Sequence, residues 1–416
     1  MKDYYSKIAI IGLGYVGLPI AIAFAKKNVK VIGYDLDKQK INNLLELKDT
    51  NNILHQSETK YLKKIFFTNK ISDIQISNVL VVCVPTPINK KNNPNLSYLK
   101  LASKEIGKIL NDKKIIIFES TVYPGVTEDI CIPIIEKYSE TKINKGFYCG
   151  YSPERINPGD SSRNFSNINK IISASNNYSL KIIKKIYFKV INASIHSAKS
   201  IKIAEAAKVL ENTQRDINIG LMNEFNEICS KLKISTAEVL QAASTKWNFL
   251  DFKPGLVGGH CIGVDPYYLT YQSKKNGYQP KFILSGRKIN DDMPQYHLSL
   301  IKKQYLKNKV NFLNSKILVL GLTFKENCED IGNSKALEIV KYLSKKTKQL
   351  YVYDPIADIE NLENNIKSKI INTLNIKNFD SILVLVSHNI FKNKKKNILS
   401  LLKKSGFIYE IKNLIF

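Results

Sequence analysis

No run of about eighteen apolar residues, the length a helix needs to cross a bilayer, occurs anywhere in this chain. A transmembrane helix is therefore not expected, nor a membrane partner. The opening residues, Met1-Lys-Asp-Tyr-Tyr-Ser-Lys7, lack the apolar core of a secretory leader, and the expectation is a cytoplasmic protein. No Cys-x-x-Cys pair occurs among the six scattered cysteines. That spacing fits reduced thiols and argues against a zinc site, so no metal is expected. Negative charge is also short: 36 Asp and Glu stand against 63 Lys and Arg, a net +27. Such an excess can serve nucleic acid. Here, though, the lysines spread along the whole chain beside many Asn and Ile, and the densest cluster, Lys392 with Lys394 to Lys396, is short. A charged surface that attracts a polyanionic substrate is the better expectation, without a nucleic-acid partner.

What the chain does have is punctuated α/β patterning. Its 416 residues, 44% of them apolar, suggest two or three domains. Lys7-Ile-Ala-Ile-Ile11 reads as a buried parallel strand, being short, apolar and β-branched. It runs into Gly12-Leu-Gly14-Tyr15-Val16-Gly17, then a helical segment from Leu18 to Lys27, then a strand from Val29 to Tyr34 that ends at Asp35. A Gly-x-Gly-x-x-Gly between strand and helix, with an acid about twenty residues later, is the dinucleotide fingerprint. The glycines make the turn and admit a pyrophosphate to the helix N-terminus. Asp35 would accept from the adenosine ribose and repel a 2′-phosphate, so NAD is expected rather than NADP.

Further strands, Asn78 to Val84 and Lys114 to Glu119, end in Pro85-Thr86-Pro87 and Ser120-Thr121-Val122. Ligands of open α/β sheets bind beyond the carboxyl ends of strands, which makes Thr86 and Thr121 candidates for cofactor or substrate contact. A role as helix caps or turn formers explains them equally well. Glu154 and Arg155, in Tyr151-Ser-Pro-Glu-Arg-Ile-Asn-Pro-Gly159, either orient a substrate or form a solvated pair. Residues 198–231 read as one long helix. Glu205, Lys208, Asn212 and Arg215 share one face of it, and neighbouring Ala204, Ala206, Ala207, Val209 and Leu210 leave little room for that face to be solvated.

A helix from Ser235 to Ala243 leads to Gly255-Leu-Val-Gly-Gly-His-Cys-Ile-Gly-Val-Asp-Pro-Tyr-Tyr-Leu269, with more helix to about Tyr305. Glycines let backbone approach a bound molecule, and a thiolate adds to carbonyl carbons. The polar, glycine-rich setting favours a reactive Cys261, whereas Cys83, in Val-Val-Cys-Val, reads as a small buried hydrophobe. A second α/β unit follows, with strands Lys316 to Gly321, Leu350 to Asp354 and Ser381 to Val386. It lacks the glycine fingerprint, and Lys325 at a strand end is its phosphate candidate.

Taken together these residues resemble the nucleotide-sugar 6-dehydrogenases, the group containing UDP-glucose dehydrogenase. The likeness spans nearly the whole chain. It is carried by Gly12-Leu-Gly-Tyr-Val-Gly-Leu18, Val84-Pro-Thr-Pro87, Ser120-Thr-Val122, Ser152-Pro-Glu154, Ala204-Glu-Ala-Ala-Lys208 with Asn212, Gly258-Gly-His-Cys261 with Asp265, and Gly321-Leu-Thr-Phe-Lys325. Ser152-Pro-Glu-Arg155 and the long form of the cysteine loop are closer to the branch acting on UDP-N-acetylhexosamines, UDP-GlcNAc or UDP-GalNAc.

The resemblance implies two Rossmann-like, doubly wound parallel-sheet domains joined by a central helical segment with one long helix. The NAD domain would span 1–195, the helical and dimerisation segment 196–305 and the UDP-sugar domain 306–416. It implies a homodimer and a four-electron, NAD-dependent oxidation of C6 to a carboxylate for surface polysaccharide. Cys261 would carry the thiohemiacetal and thioester. Lys208 and Asn212 would stabilise the oxyanion, and Asp265 would act as a water-assisted base. Glu154 and Thr121 would orient water and assist proton transfer. Gly12, Gly14, Tyr15, Val16, Gly17, Asp35, Lys40, Pro85, Thr86 and Thr121 would hold NAD. Arg155, Leu250, Phe252, Gly258 and Lys325 would join Glu154, Lys208 and Asn212 around the UDP-sugar.

One departure stands out: after Glu329-Asp-Ile331 the family usually has an Arg that reaches the cofactor pyrophosphate, and here it is Gly332. Losing a charge-assisted hydrogen bond costs about 1.5–3 kcal/mol, so weaker NAD binding or compensation by Lys335 is expected. Alternatives are the same chemistry on UDP-glucose or UDP-ManNAc, and a catalytically silent Rossmann protein that binds nucleic acid.

Overall fold

The structure, a computed structural model, describes residues 6–416 except 50–53, 55, 90, 112, 157–162, 260, 361 and 413. The chain divides into two compact units, Met1–Glu211 with Tyr267–Gly277, and Asn212–Pro266 with Tyr278–Phe416.

The first unit holds β1 (Lys7–Ile11), β2 (Lys30–Tyr34), β3 (Ile65–Thr68), β4 (Val79–Val82), β5 (Lys114–Phe118), β6 (Phe147–Tyr151), β7 (Lys170–Ala174) and β8 (Ile195–Ser197). They form one sheet in the order β3-β2-β1-β4-β5-β6-β7-β8. Every residue of β4, β5 and β6 is buried. This explains why consecutive positions are apolar: helices cover both faces of such a sheet. Those helices are α1 (Gly17–Lys26), α2 (Lys38–Leu45), α3 (Ser97–Lys108), α4 (Ile132–Ser139) and α5 (Asn177–Phe188). α1 is apolar nearly all round and buries all but Pro19 and Lys26. α5 begins with a capping box, Asn176 Oδ1 accepting from Ser179 N at 2.8 Å.

One strand departs from the parallel expectation. β7 runs antiparallel to β6, pairing Ala174 with Gly150 and Ser173 with Tyr151. A parallel return needs a crossover, usually a helix, and the described residues between these strands form none.

The reversal of strand order falls between β1 and β4, the place where doubly wound sheets bind ligands. From the first unit, α6 (Ile201–Leu232) continues into the second. There α7 (Thr236–Ala243) follows, capped by Ser235 Oγ accepting from Glu238 N. The helix expected to reach Tyr305 is in fact α8 (Asp265–Lys275) and α9 (Lys281–Lys307), separated at Gly277, where φ is +82°. Gly220, mid-helix in α6, has a packing reason: a Cβ there would lie 3.0 Å from the Gly286 carbonyl of α9.

The rest of the second unit is a parallel sheet of β9 (Lys316–Leu320), β10 (Gln349–Tyr353), β11 (Phe379–Val384) and β12 (Leu402–Glu410), ordered β10-β9-β11-β12, with α10 (Lys335–Lys346) following β9. Both halves use one device. Asp35 at the end of β2 accepts from Leu13 N at 2.8 Å, and Asp354 at the end of β10 accepts from Leu322 N at 2.7 Å.

Candidate active site

In the first unit the glycine turn is shaped by what a side chain would strike. Gly12 has φ +92°, and a Cβ there would sit 2.9 Å from the Cys83 carbonyl; at Gly17 it would sit 1.8 Å from the Gly12 carbonyl. At Gly14 nothing lies within 4 Å of that position, so backbone is open to a ligand in front of α1. Tyr15 is half exposed and Val16 partly buried beside it. Asp35 is fixed, its Oδ2 accepting from Leu13 N and its Oδ1 from Asp37 N at 3.0 Å. Lys40 turns its ammonium to Asp35 Oδ2, 3.0 Å away. Open backbone before a helix N-terminus, with a fixed carboxylate at the next strand end, fits an NAD.

The exits of β4 and β5 are stitched together. Ser120 Oγ donates to the Val84 carbonyl at 2.6 Å and Thr86 Oγ1 donates to the Thr121 carbonyl at 2.7 Å. Tyr268 donates its hydroxyl to the Thr86 carbonyl, so Thr86 is held at both ends and Pro85 is left exposed. Beyond β6, Glu154 is buried, its Oε1 accepting from Arg155 N at 2.7 Å and Ile156 N at 2.6 Å. The Arg155 guanidinium does not pair with Glu154. It is spent on Glu211 of α6, 2.8 Å away, and on the Asn169 carbonyl, 2.8 Å away. The stretch Asn157-Pro-Gly159 lies outside the described residues.

Three of the four residues of the polar stripe of α6, Glu205, Lys208 and Asn212, are buried, as the flanking alanines suggested, and Arg215 is partly buried. Glu205 is fully enclosed and accepts from Gly125 N and Thr127 N, at the start of the turn that leads into α4. Lys208 is 7% exposed and makes no hydrogen bond or ion pair among the described residues.

In the second unit Cys261 stands apart: it alone of the six cysteines is exposed. Its carbonyl accepts from Asp265 N at 2.9 Å, at the first turn of α8. Asp265 is 2% exposed, and its Oδ2 accepts from Asn212 Nδ2 at 2.5 Å. Thiol loop, acid and α6 amide are thus joined by two hydrogen bonds. Lys325 lies within electrostatic reach of this loop. Burial lowers its pKa, the Cys328 and Cys261 sulfurs oppose that shift, and Arg215 adds to it. His260 lies outside the described residues.

The loop's shape depends on residues that sequence reasoning missed. Asn223 of α6 donates to the Gly255 carbonyl at 3.0 Å and accepts from Gly255 N at 2.8 Å. Asn290 of α9 accepts from Asn223 at 2.8 Å and donates to Asp216, which pairs with buried Arg287. A Cβ at Gly258 would meet the Asn333 carbonyl at 2.6 Å, and one at Gly259, φ +78°, the Phe324 ring at 2.7 Å. Leu250 is exposed and Phe252 partly buried in the preceding turn. Near Gly332, Lys335 pairs with Asp291 at 3.4 Å and Glu338 at 2.8 Å. Among the described residues no cluster of three or more His, Cys, Asp or Glu is placed to hold a metal, and no helix is long and apolar enough to cross a membrane.

Residues 6–191, 202–292 and 318–416 match, in turn, the NAD binding domain, the central domain and the UDP binding domain of the UDP-glucose/GDP-mannose dehydrogenase family. The chain belongs to that family. It is therefore an NAD-dependent oxidoreductase of nucleotide sugars, and the silent nucleic-acid-binding alternative falls away. Protein CapL of Staphylococcus aureus is 45% identical over 408 residues, covering 98% of this chain and 96% of that protein. A Pseudomonas aeruginosa protein named UDP-N-acetyl-D-glucosamine 6-dehydrogenase is 44% identical over 416 residues, covering 100% and 98%. Among solved structures, a UDP-D-ManNAc dehydrogenase from Pyrococcus horikoshii superposes with TM-score 0.87 at 29% identity, covering 99% and 96%. This dehydrogenase thus keeps the family's architecture along its whole length.

Proposed function

We propose that this dehydrogenase oxidises C6 of a UDP-N-acetylhexosamine, UDP-GlcNAc or UDP-GalNAc, to the uronate, in the cytoplasm, for a surface polysaccharide. The single observation that carries the reading is the exposed Cys261 joined to buried Asp265 and Asn212 by hydrogen bonds. Its 44% identity to a protein named for UDP-N-acetyl-D-glucosamine supports the substrate.

NAD, when bound, supplies the hydride acceptor for both two-electron oxidations. The glycine turn from Gly12 to Gly17, with Asp35, Lys40, Pro85, Thr86 and Thr121, holds it. Once the alcohol has lost hydride and proton, the Cys261 thiolate adds to the aldehyde carbon, forming a C–S bond and leaving charge on oxygen. Lys208 and Asn212 stabilise that oxygen; preorganised donors of this kind are each worth about 10²–10³ in rate. A second hydride loss gives the Cys261 thioester. Water then attacks, the C–S bond breaks and the thiolate is released with the carboxylate. Glu154, Thr121 and Asp265 orient that water and take its proton. Arg155, Leu250, Phe252, Gly258 and Lys325 hold the UDP-sugar. These roles follow segments 1–195, 196–305 and 306–416.

The molecule acts as a homodimer through α6. Ile203, Leu210, Leu221, Ile228 and Leu232 are all exposed on that helix. At about 100° per residue they fall along one line, an apolar stripe that a second copy would cover.

The test follows NADH with UDP-GlcNAc, UDP-GalNAc, UDP-ManNAc and UDP-glucose side by side. Two NADH per N-acetylhexosamine are expected, with Cys261→Ser blocking acid formation. One NADH per sugar, or acid made by the serine variant, would sink the reading.

A further inference from the structure

Behind Glu154 the first unit buries a set of charges that the chemistry above does not use. Lys170 on β7 is 3% exposed, and Glu119, just after β5, is 1% exposed. The Lys170 ammonium donates to Glu119 Oε2 and, at 3.1 Å, to the Pro153 carbonyl. Tyr187 of α5 donates its hydroxyl to Glu119 Oε1. The same ammonium lies 3.7 Å from Glu154 Oε2, which has no hydrogen-bond partner. It also sits 5.0 Å from the Phe165 ring centroid and 5.4 Å from that of Tyr187.

One buried cation is thus shared by two carboxylates. Glu119 is sealed away with both oxygens bonded; Glu154 has Oε1 fixed by backbone and Oε2 unclaimed. Stability does not explain such a set, because well-packed apolar residues usually replace a buried ion pair at no loss. The other groups facing it are accounted for. Cys83 is buried and its thiol pushed well up by burial first, with Glu119 adding, so it stays neutral. Arg155 is turned to Glu211. Burial pushes Glu119 up to about 7, Lys170 opposing that shift and Glu154 adding to it.

We propose that Lys170, anchored by Glu119 and Tyr187, is a positioning residue that holds Glu154 in place with Oε2 free to accept from water or substrate. This rests on the role given to Glu154 above. Two carboxylates share the ammonium, so removing the cation and removing the competitor change the charge facing Glu154 Oε2 in opposite senses.

The test is an infrared titration of the substrate-free enzyme, with the Glu154 carboxyl band assigned by Glu154→Gln, alongside the pH–rate profile. Lys170→Met is expected to move the onset of that band, and the acid limb of the profile, up by about one pH unit or more. Lys170→Arg restores both. Glu119→Gln leaves them at the wild-type position or lower. Circular dichroism confirms folding, and if Lys170→Met does not fold, the other two variants decide. An unmoved band in folded Lys170→Met overturns the proposal, as does an upward move in Glu119→Gln, which marks loosened packing alone. A Glu154→Gln enzyme of undiminished kcat would instead overturn the role of Glu154 in the reaction, leaving the infrared result on Lys170 to be read by itself.

Discussion

Single side chains here are defined by what encloses them rather than by their type. His297 on α9 is a case away from the chemistry. It is 2% exposed, its Nδ1 lies 2.6 Å from the Tyr409 hydroxyl, and its Nε2 has no partner. Burial pushes its pKa down to about 4. The folded-state value is below the unfolded one, so the stability it contributes is present above about 6.5 and is lost as pH falls towards 4. At roughly 1.4 kcal/mol per unit the loss approaches about 3 kcal/mol. Urea unfolding at a series of pH values should show His297→Gln losing less stability than wild type over that window. Equal slopes would mean that the imidazole does not titrate there. None of this was readable beforehand. The same blindness covered Lys170, Asn223, Asn290 and Asn333, because a lysine or asparagine in a sequence looks like surface until the fold closes over it. Cys261 was readable because its neighbours are glycines, as was Cys83 because its neighbours are valines.

Elements were legible where a pattern fixes them locally. β1, β2, β4 and β5 announce themselves as short β-branched runs, and the turn after β1 by glycines that sterics demand. The direction of β7 was not legible, since strand direction is decided by the connection and not by the strand's own residues. α6 shows both sides of this. Its buried polar face was visible from the crowd of alanines around Lys208 and Asn212. Its outer stripe, from Ile203 to Leu232, becomes visible only when the folded chain is seen to leave it bare. If a second copy covers that stripe, Leu221→Glu should buries a charge in the shared face and drive the protein towards monomers. Light scattering across a dilution series reads this directly, and an unchanged mass would remove α6 from the interface.

At the scale of the whole molecule, the family likeness accounted for the order of the parts: a dinucleotide sheet, a long helix with the thiol loop, and a second sheet whose Asp354 repeats the hydrogen bond of Asp35. What it left out are the polar networks under the loop, where side chains far apart in sequence meet. The distribution of sulfur has a practical consequence. Five thiols are walled in and one is open, and an exposed thiol is within reach of peroxide. Oxidation should therefore silence the molecule without unfolding it, as accessible thiolates climb to sulfenic and then sulfinic acid while enclosed ones do not. Mass spectrometry after brief peroxide exposure should find the added oxygen on the peptide containing Cys261, with the melting curve intact; oxygen scattered over all six cysteines would contradict this. Such an enzyme would depend on the reducing power of its surroundings as much as on its substrates.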